Sequence, residues 1–303
     1  MKYGEWVRSW LEYKIRPTTK QWTYNRYEIL QKRHILPELG EMDIDDLTPF
    51  ILQKFIVALS EKGLSASTVN IIISVLKNSL DSAVRFGVAK TQYADKIIRP
   101  KSVEKQVVCF TKEEQKKIET YILEKRTPRL YGILLCLYSG IRLGELLALK
   151  WEDLNLSDGL LTVSKSCHDS WENGVYTKVT DTPKTPSSVR LIPLPFRLLP
   201  YLADARSKSD SQYIVSHDCP QGEKVRSYQK MFETLLKRLH IEHKGFHSLR
   251  HTFATRALEC GMDVKSLSEI LGHKNPTVTL NRYVHSLLEH KQNMMNSLGE
   301  MLP

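Results

Sequence analysis

Between residues 160 and 194 the hydrophobic pattern of this chain changes period. On either side, apolar residues recur every three or four positions, the spacing of a helix with one buried face. Inside the window they alternate with polar residues, the spacing of half-buried strands. A chain of 303 residues with this arrangement can be neither a pure helix bundle nor a β-sandwich. It is expected to be mainly α with a small antiparallel β-sheet, a helical N-terminal domain being followed by a mixed α/β (α+β) domain. The expected strands are 160–166, 175–180 and 189–194, separated by the turn runs Glu172-Asn-Gly174 and Asp181-Thr-Pro-Lys-Thr-Pro186. Together they make a three-stranded antiparallel sheet, with Lys184 on the turn between its last two strands.

Helices are expected over 3–15, 21–35, 49–61 and 67–87, a bundle of four within a domain spanning 1–99. The last is the best marked. Val69, Ile72, Leu76, Leu80 and Ala83 form its apolar stripe, Ser65 or Ser67 can cap its start, and Gly87 can end it. Residues 100–107 are charged, begin with Pro100 and offer little to bury, so they read as a flexible linker between two domains. Thr111-Lys-Glu-Glu114 has the spacing of a capping box and opens the second domain, 108–303. An apolar helix is expected near 130–138, further helices start near Lys224, Ser248, Asp263 and Asn275, and a tail runs from about residue 286.

Charge narrows the partners. The formal net charge is +10 and the pI near 9.2, with the excess on both sides of residue 100 (+4 before it, +6 after), so both halves can touch a polyanion. Cys109, Cys136, Cys167, Cys219 and Cys260 are odd in number and scattered, the pattern of neither a disulfide framework nor a thiolate metal site. No apolar run approaches the ~20 residues that cross a bilayer, and the polar, aromatic N-terminus is not a signal peptide. A cytoplasmic protein with no membrane partner is expected.

The residues able to do chemistry lie in the second domain. In Ser139-Gly-Ile-Arg-Leu-Gly-Glu-Leu146, Gly140 stops one helix and Arg142 opens the next. Its guanidinium can hold two oxygens of one phosphate, and Glu145 lies one turn on, able to orient it. His247-Ser-Leu-Arg-His251 opens a helix on whose first turn His247, Arg250 and His251 can share a face, where backbone N–H groups favour an anion. Leu271-Gly-His-Lys-Asn-Pro276 leaves His273 in a loop, and Tyr283 falls on the helix that follows. Taken singly, these residues read equally as a surface Arg/Glu pair, a loop histidine and a packed aromatic. The spacing of His240, His243, His247 and His251 also admits a metal, but Gly245 interrupts it and no glutamate stands where a zinc protease needs one. Jointly and in this order they supply a nucleophile, two phosphate-holding arginines and proton carriers, which is what cutting a phosphodiester through a covalent phosphotyrosine requires.

These motifs, with Thr182-Pro-Lys184-Thr and Arg190-Leu-Ile-Pro-Leu194, resemble the tyrosine recombinase (phage integrase) family over nearly the whole second domain. The helices before it look like that family's core-binding domain, and Ser67-Thr-Val-Asn70 is a familiar start to its last long helix. The resemblance implies a site of Tyr283, Arg142, Arg250, Lys184, His247 and His273. Lys184 would protonate the departing 5′ oxygen, His247 would help deprotonate the tyrosine and His273 would bond the phosphate, with Glu145 and His251 in support. It implies no cofactor and no metal. The implied partners are double-stranded DNA at attachment sites, copies of the same chain assembling on DNA as dimer to tetramer through the amphipathic tail, and an accessory DNA-bending or excision factor.

The polar stretch 166–176 looks like that of integrases of conjugative transposons in Gram-positive bacteria, so integration and excision of a mobile element, in association with the bacterial nucleoid, is the expected role. Such integrases carry an arm-binding domain ahead of the core-binding helices. None precedes Trp6, and truncation is the expected reason. Asn70, Lys77 and Arg85 are candidate DNA contacts on the long helix. A type IB topoisomerase, with the same tyrosine chemistry, and a noncatalytic DNA-binding protein are the alternatives.

Overall fold

The computed structural model describes residues 1–101, 107–172, 175–181, 189–215 and 222–273, together with 275, 277, 292, 295, 296 and 299; for 171, 172, 175 and 176 it describes the backbone alone. The chain divides into two compact units, Met1–Lys105 and Gln106–Pro303.

Helices make up the first unit. α1 (Tyr3–Trp10) runs through a wide turn, Leu11–Ile15, into α2 (Arg16–Thr18), and α3 (Gln21–Leu30) runs through Gln31–Ile35 into α4 (Leu36–Leu39). The sequence supplies the reason for both wide turns. Pro17 and Pro37 have no N–H to give, and their rings crowd the carbonyl four residues back. The residue before each proline bonds five residues back, Arg16 to Leu11 O and Leu36 to Gln31 O, so each helix continues past the expected ends at residues 15 and 35. α5 (Pro49–Glu61) has Thr48 as its cap, and α6 (Ala66–Arg85) is capped by Ser65, whose Oγ accepts the Thr68 N–H at 3.2 Å. Val69, Ile72, Leu76, Leu80 and Ala83 are all buried on α6. Polar groups fix how α1 meets it: the Trp6 and Trp10 indole N–H groups donate to Ser79 O (3.1 Å) and Ser82 Oγ (3.0 Å), and the Tyr3 hydroxyl bonds Ser79 Oγ at 3.2 Å. A slip of one helix along the other would strand these buried donors without partners.

The second unit opens with α7 (Lys112–Lys125), where Thr111 and Glu114 form the capping box reciprocally, at 3.1 and 2.8 Å. α8 (Pro128–Ser139) is buried along most of its length, and α9 (Leu143–Leu146) is a single turn. Among the described residues the strands that follow are β1 (Leu154–Asn155), β2 (Leu160–Val163), β3 (Ser166–Glu172), β4 (Val175–Asp181) and β5 (Arg190–Pro193). Helices return with α10 (Leu199–Ser207), α11 (Val225–Arg238), α12 (His247–Glu259) and α13 (Val264–Leu271). Asp263 caps α13 and, further on, Asn275 Oδ1 accepts the Thr277 N–H at 2.9 Å. Cys109, Cys136, Cys167 and Cys260 are free thiols, and Cys219 lies outside the described residues. No described helix is long and apolar enough to cross a membrane.

Strand pairing differs from the expectation. β2 pairs with β5 (Leu161 opposite Ile192) and with the short β1, giving a three-stranded antiparallel sheet in the order β1-β2-β5. β4 instead joins β3 in a separate two-stranded ribbon, Cys167 opposite Thr180. Asp169 on β3 holds this ribbon to α11, accepting the N–H groups of Val225 and Arg226 at 3.2 Å each. Of the expected turn Asp181–Pro186, residues 182–186, Lys184 among them, lie outside the described residues.

α12 packs across α8, and α13 packs against both α12 and β5. The contact closes tightly at Gly140, the left-handed cap of α8 (φ +65°), where an added Cβ would come within 2.4 Å of Phe253 and 2.8 Å of Leu271. Gly140→Ala would incur both left-handed strain and a displaced core. Its expected destabilisation is at least about 2 kcal/mol in a urea titration. A value under about 1 kcal/mol would rule out the close approach.

Candidate active site

Arg142 stands at the junction of α8 and α9, its side chain partly exposed at 41%. Its position is set by Glu145, which is 9% exposed. Glu145 Oε2 accepts the Arg142 backbone N–H at 2.8 Å and Oε1 accepts the guanidinium at 2.9 Å. The same carboxylate receives Arg190 from β5, at 3.2 Å on Oε1 and 2.8 Å on Oε2. Burial pushes the Glu145 carboxyl upward, but the hydrogen bond and charge of Arg190, then the charge of Arg142, outweigh it and hold it at about 2, well below its ordinary 4.5. The Arg190 Nε donates in turn to Ile270 O at 2.7 Å, at the end of α13.

Arg250, on the first turn of α12, is 2% exposed. One of its terminal nitrogens donates to Gly140 O at 2.8 Å and the other to Leu271 O at 2.6 Å. These carbonyls close α8 and α13, so the partial negative charge of two helix C-termini faces the buried guanidinium. The second nitrogen also lies 2.9 Å from His273 Nε2, which joins the loop after α13 to the α12 arginine.

His247 is exposed at the start of α12, and His251 is buried one turn on. Their rings meet edge to face, 4.5 Å between centroids. The helix begins at His247, so His240, which has left-handed backbone, and His243 lie outside it. Among the described residues no group of three or more His, Cys, Asp or Glu is placed to hold a metal. The structure thus brings Arg142, Glu145, Arg250 and His273 into one hydrogen-bonded neighbourhood, with His247 and His251 on the helix that carries Arg250. Lys184 and Tyr283 lie outside the described residues, as do Leu287, Leu288, Met294 and Leu298 of the tail.

Sequence reasoning missed the part played by Arg190, although a signal was present. In β5 the buried face carries Ile192 and Arg190, whereas Leu191 points outward at 62% exposure. A charged residue in an inward register beside an exposed leucine marks a position kept for a specific partner. Of the candidate DNA contacts in the first unit, Asn70 donates to Pro100 O at 3.1 Å, Lys77 pairs with Asp95, and Arg85 is exposed at the end of α6.

Residues 96–290 match the phage integrase family, and residues 2–60 match the N-terminal SAM-like domain of phage integrases. The chain belongs to the phage integrase family of tyrosine recombinases. It is similar to a tyrosine recombinase XerC-like protein of Caldanaerobacter subterraneus, 28% identical over 98% of this chain and 83% of the relative. It is also similar to the transposase from transposon Tn916 of Enterococcus faecalis, 27% identical over 95% and 74%. A solved fragment of the Tn1549 transposon integrase, in complex with a circular intermediate DNA, shares the fold with a TM-score of 0.81 at 22% identity, covering 98% of this chain and 99% of that one.

The low Glu145 carboxyl makes this integrase-family site sensitive to acid. A carboxylate held below its ordinary 4.5 contributes stability that is complete above that value and is lost as pH falls through about 2. Relative to Glu145→Gln, the wild-type chain should be more stable near neutral pH by on the order of 3 kcal/mol. That advantage should shrink toward zero between pH 4.5 and 2. Parallel urea midpoints at four or five pH values measure the difference, and an advantage that does not vary with pH would contradict the paired carboxylate.

Proposed function

We propose that this chain is a site-specific DNA recombinase that integrates and excises a mobile element by cutting and rejoining strands through a 3′-phosphotyrosine. The observation that carries the reading is that two guanidinium groups from distant parts of the chain are tied into neighbouring hydrogen bonds of a phage integrase family domain, Arg142 through Glu145 and Arg190 to Ile270 O, and Arg250 to Gly140 O and Leu271 O.

In this reading the Tyr283 oxygen attacks the scissile phosphorus and the 5′ oxygen leaves. His247 accepts the tyrosine proton and Lys184 gives one to the leaving oxygen. Charge gathering on the nonbridging oxygens is met by Arg142, Arg250 and a hydrogen bond from His273, with Glu145 and His251 holding the groups that act. The phosphodiester energy is kept in the phosphotyrosine, so a free 5′ hydroxyl of another strand can attack it, restore the DNA and release the tyrosine. No nucleotide is consumed, and two arginines with a lysine supply the charge that a metal ion would otherwise bring.

Double-stranded DNA at attachment sites is the substrate, which implies a bacterial cytoplasm and association with the nucleoid. Exchange between two duplexes breaks four strands, so dimers to tetramers assemble on DNA, and the tail from about residue 286 docks on a neighbour. Asn70, Lys77 and Arg85 face the DNA from the first unit, and an accessory bending or excision factor sets the direction.

Incubation of the chain with a nicked, labelled candidate attachment site, in EDTA and without ATP, is expected to give a covalent adduct that maps to Tyr283. Tyr283→Phe should bind the same DNA and form none. Arg142→Ala should cleave about 100- to 1000-fold more slowly, the usual cost of one preorganised donor. An adduct on another residue, or a strict requirement for metal or ATP, would overturn the proposal. Relaxation of supercoils with no strand exchange between two labelled duplexes would reassign the chain to topoisomerase chemistry.

A further inference from the structure

Arg190 has no part in the chemistry set out above, yet it is a buried charge, 8% exposed, paired with a carboxylate equally buried. Stability alone is a poor reason for such a pair, because well-packed apolar residues of similar size serve as well or better. What an apolar pair cannot do is hold several groups at fixed angles, and the contacts of Arg190 are of that kind. Its two terminal nitrogens take both oxygens of Glu145, and each of those oxygens also serves Arg142, Oε1 its guanidinium and Oε2 its backbone N–H. The plane of the carboxylate, and with it the direction of Arg142, is set by the fork of Arg190. The third donor, Nε, serves a separate element, bonding Ile270 O at 2.7 Å.

Gly272 shows how closely the side chain lies along the backbone that leads to His273. An added Cβ there would fall 3.1 Å from a terminal nitrogen of Arg190 and 3.2 Å from its Cδ and Cζ, and Gly272 has φ +65°. The glycine of Leu271-Gly272-His273 thus does two things at once. It ends α13 in a left-handed turn, and it leaves room for a guanidinium beneath the peptide that aims the histidine.

We propose that Arg190 is a positioning residue for phosphoryl transfer, fixing the spacing between Arg142 and His273 through Glu145 and the last turn of α13. The inference rests on the phosphotyrosine reading. Groups that stabilise developing charge lose much of their effect when displaced by about an ångström, a misplacement that can cost on the order of 100-fold in rate. Lysine cannot replace Arg190, because one ammonium on a flexible stem does not span both carboxylate oxygens and the Ile270 carbonyl.

Single-turnover cleavage of two nicked duplexes tests this, one with an ordinary scissile phosphate and one with a methylphosphonate there, which lacks the negative charge. Arg190→Met and Arg190→Lys are expected to slow cleavage of the phosphate by about 100-fold while DNA affinity stays within about two-fold. Both should cleave the methylphosphonate at close to the wild-type rate, since little anionic charge then needs to be met. The double variant Arg190→Met with Glu145→Gln leaves no unpaired buried charge and should remain folded, yet still be slow on the phosphate. Equal losses on both substrates, or a double variant that regains wild-type cleavage along with its stability, would show that Arg190 acts only through folding and would overturn the proposal. A wild-type chain that forms no adduct with either duplex would instead remove the phosphotyrosine reading on which it rests.

Discussion

The second unit is organised around a guanidinium that is almost wholly withdrawn from water. Arg250 is 2% exposed, and an ionised group in that position is tolerable only if its donors meet acceptors and its charge meets opposing charge. Both conditions are met by backbone. Gly140 O and Leu271 O, each at the C-terminal end of a helix, present lone pairs and the negative pole of the helix to the same side chain. The geometry ties three helices to one point, because α12 carries the arginine while α8 and α13 supply its acceptors. It also explains the tight approach at Gly140, since a side chain there would hold Phe253 and Leu271 away from the contact.

A second charge cluster lies beside the first and is joined to it through α13. Arg190 reaches the Ile270 carbonyl and Arg250 the Leu271 carbonyl, consecutive groups of one helix end. Glu145 is shared by two arginines, which is why its carboxyl stays ionised despite burial. Low dielectric strengthens these bonds and raises the cost of losing any one of them, so the cluster behaves as a unit rather than as separate pairs.

Much of this was legible in the chain. The cap at Thr111 is readable, and so are the helix starts at Ser65 or Ser67, of which Ser65 is the cap, and near Asp263, because a side-chain acceptor next to an apolar stripe has few other uses. Arg142, Arg250 and His273 were singled out by residue type and order. The strand pairing was not legible, because a period of two shows that a segment is a strand and does not name its partner. Ser166-Cys-His-Asp-Ser-Trp-Glu172 is too polar to announce a strand, so the pattern places β4 in the sheet of β2 and β5, whereas it pairs with β3. Helices carried past Pro17 and Pro37 were also hidden, as the wide turn that accommodates a proline leaves no mark on the apolar spacing. Arg190 was overlooked because its partner lies 45 residues away, beyond the reach of local pattern.

The two guanidinium groups of the proposed site differ in a way that suits different tasks. Arg142 is 41% exposed and Arg250 is enclosed. A charge open to solvent is screened by salt and acts mainly on what comes into direct contact, whereas an enclosed charge is weakly screened and keeps its field. The exposed group can meet an incoming phosphate and give up bound water at moderate cost. The enclosed group cannot reorient, its donors being committed to two helix ends, so it contributes charge at a place fixed before the substrate arrives. Stabilisation of a short-lived anionic state depends on that prior arrangement, since no time is available for dipoles to turn once the charge develops. In the proposed site, catalysis of this kind would place its strongest demand on the backbone ends at Gly140 and Leu271, and on the folded core that keeps them aimed at one nitrogen pair.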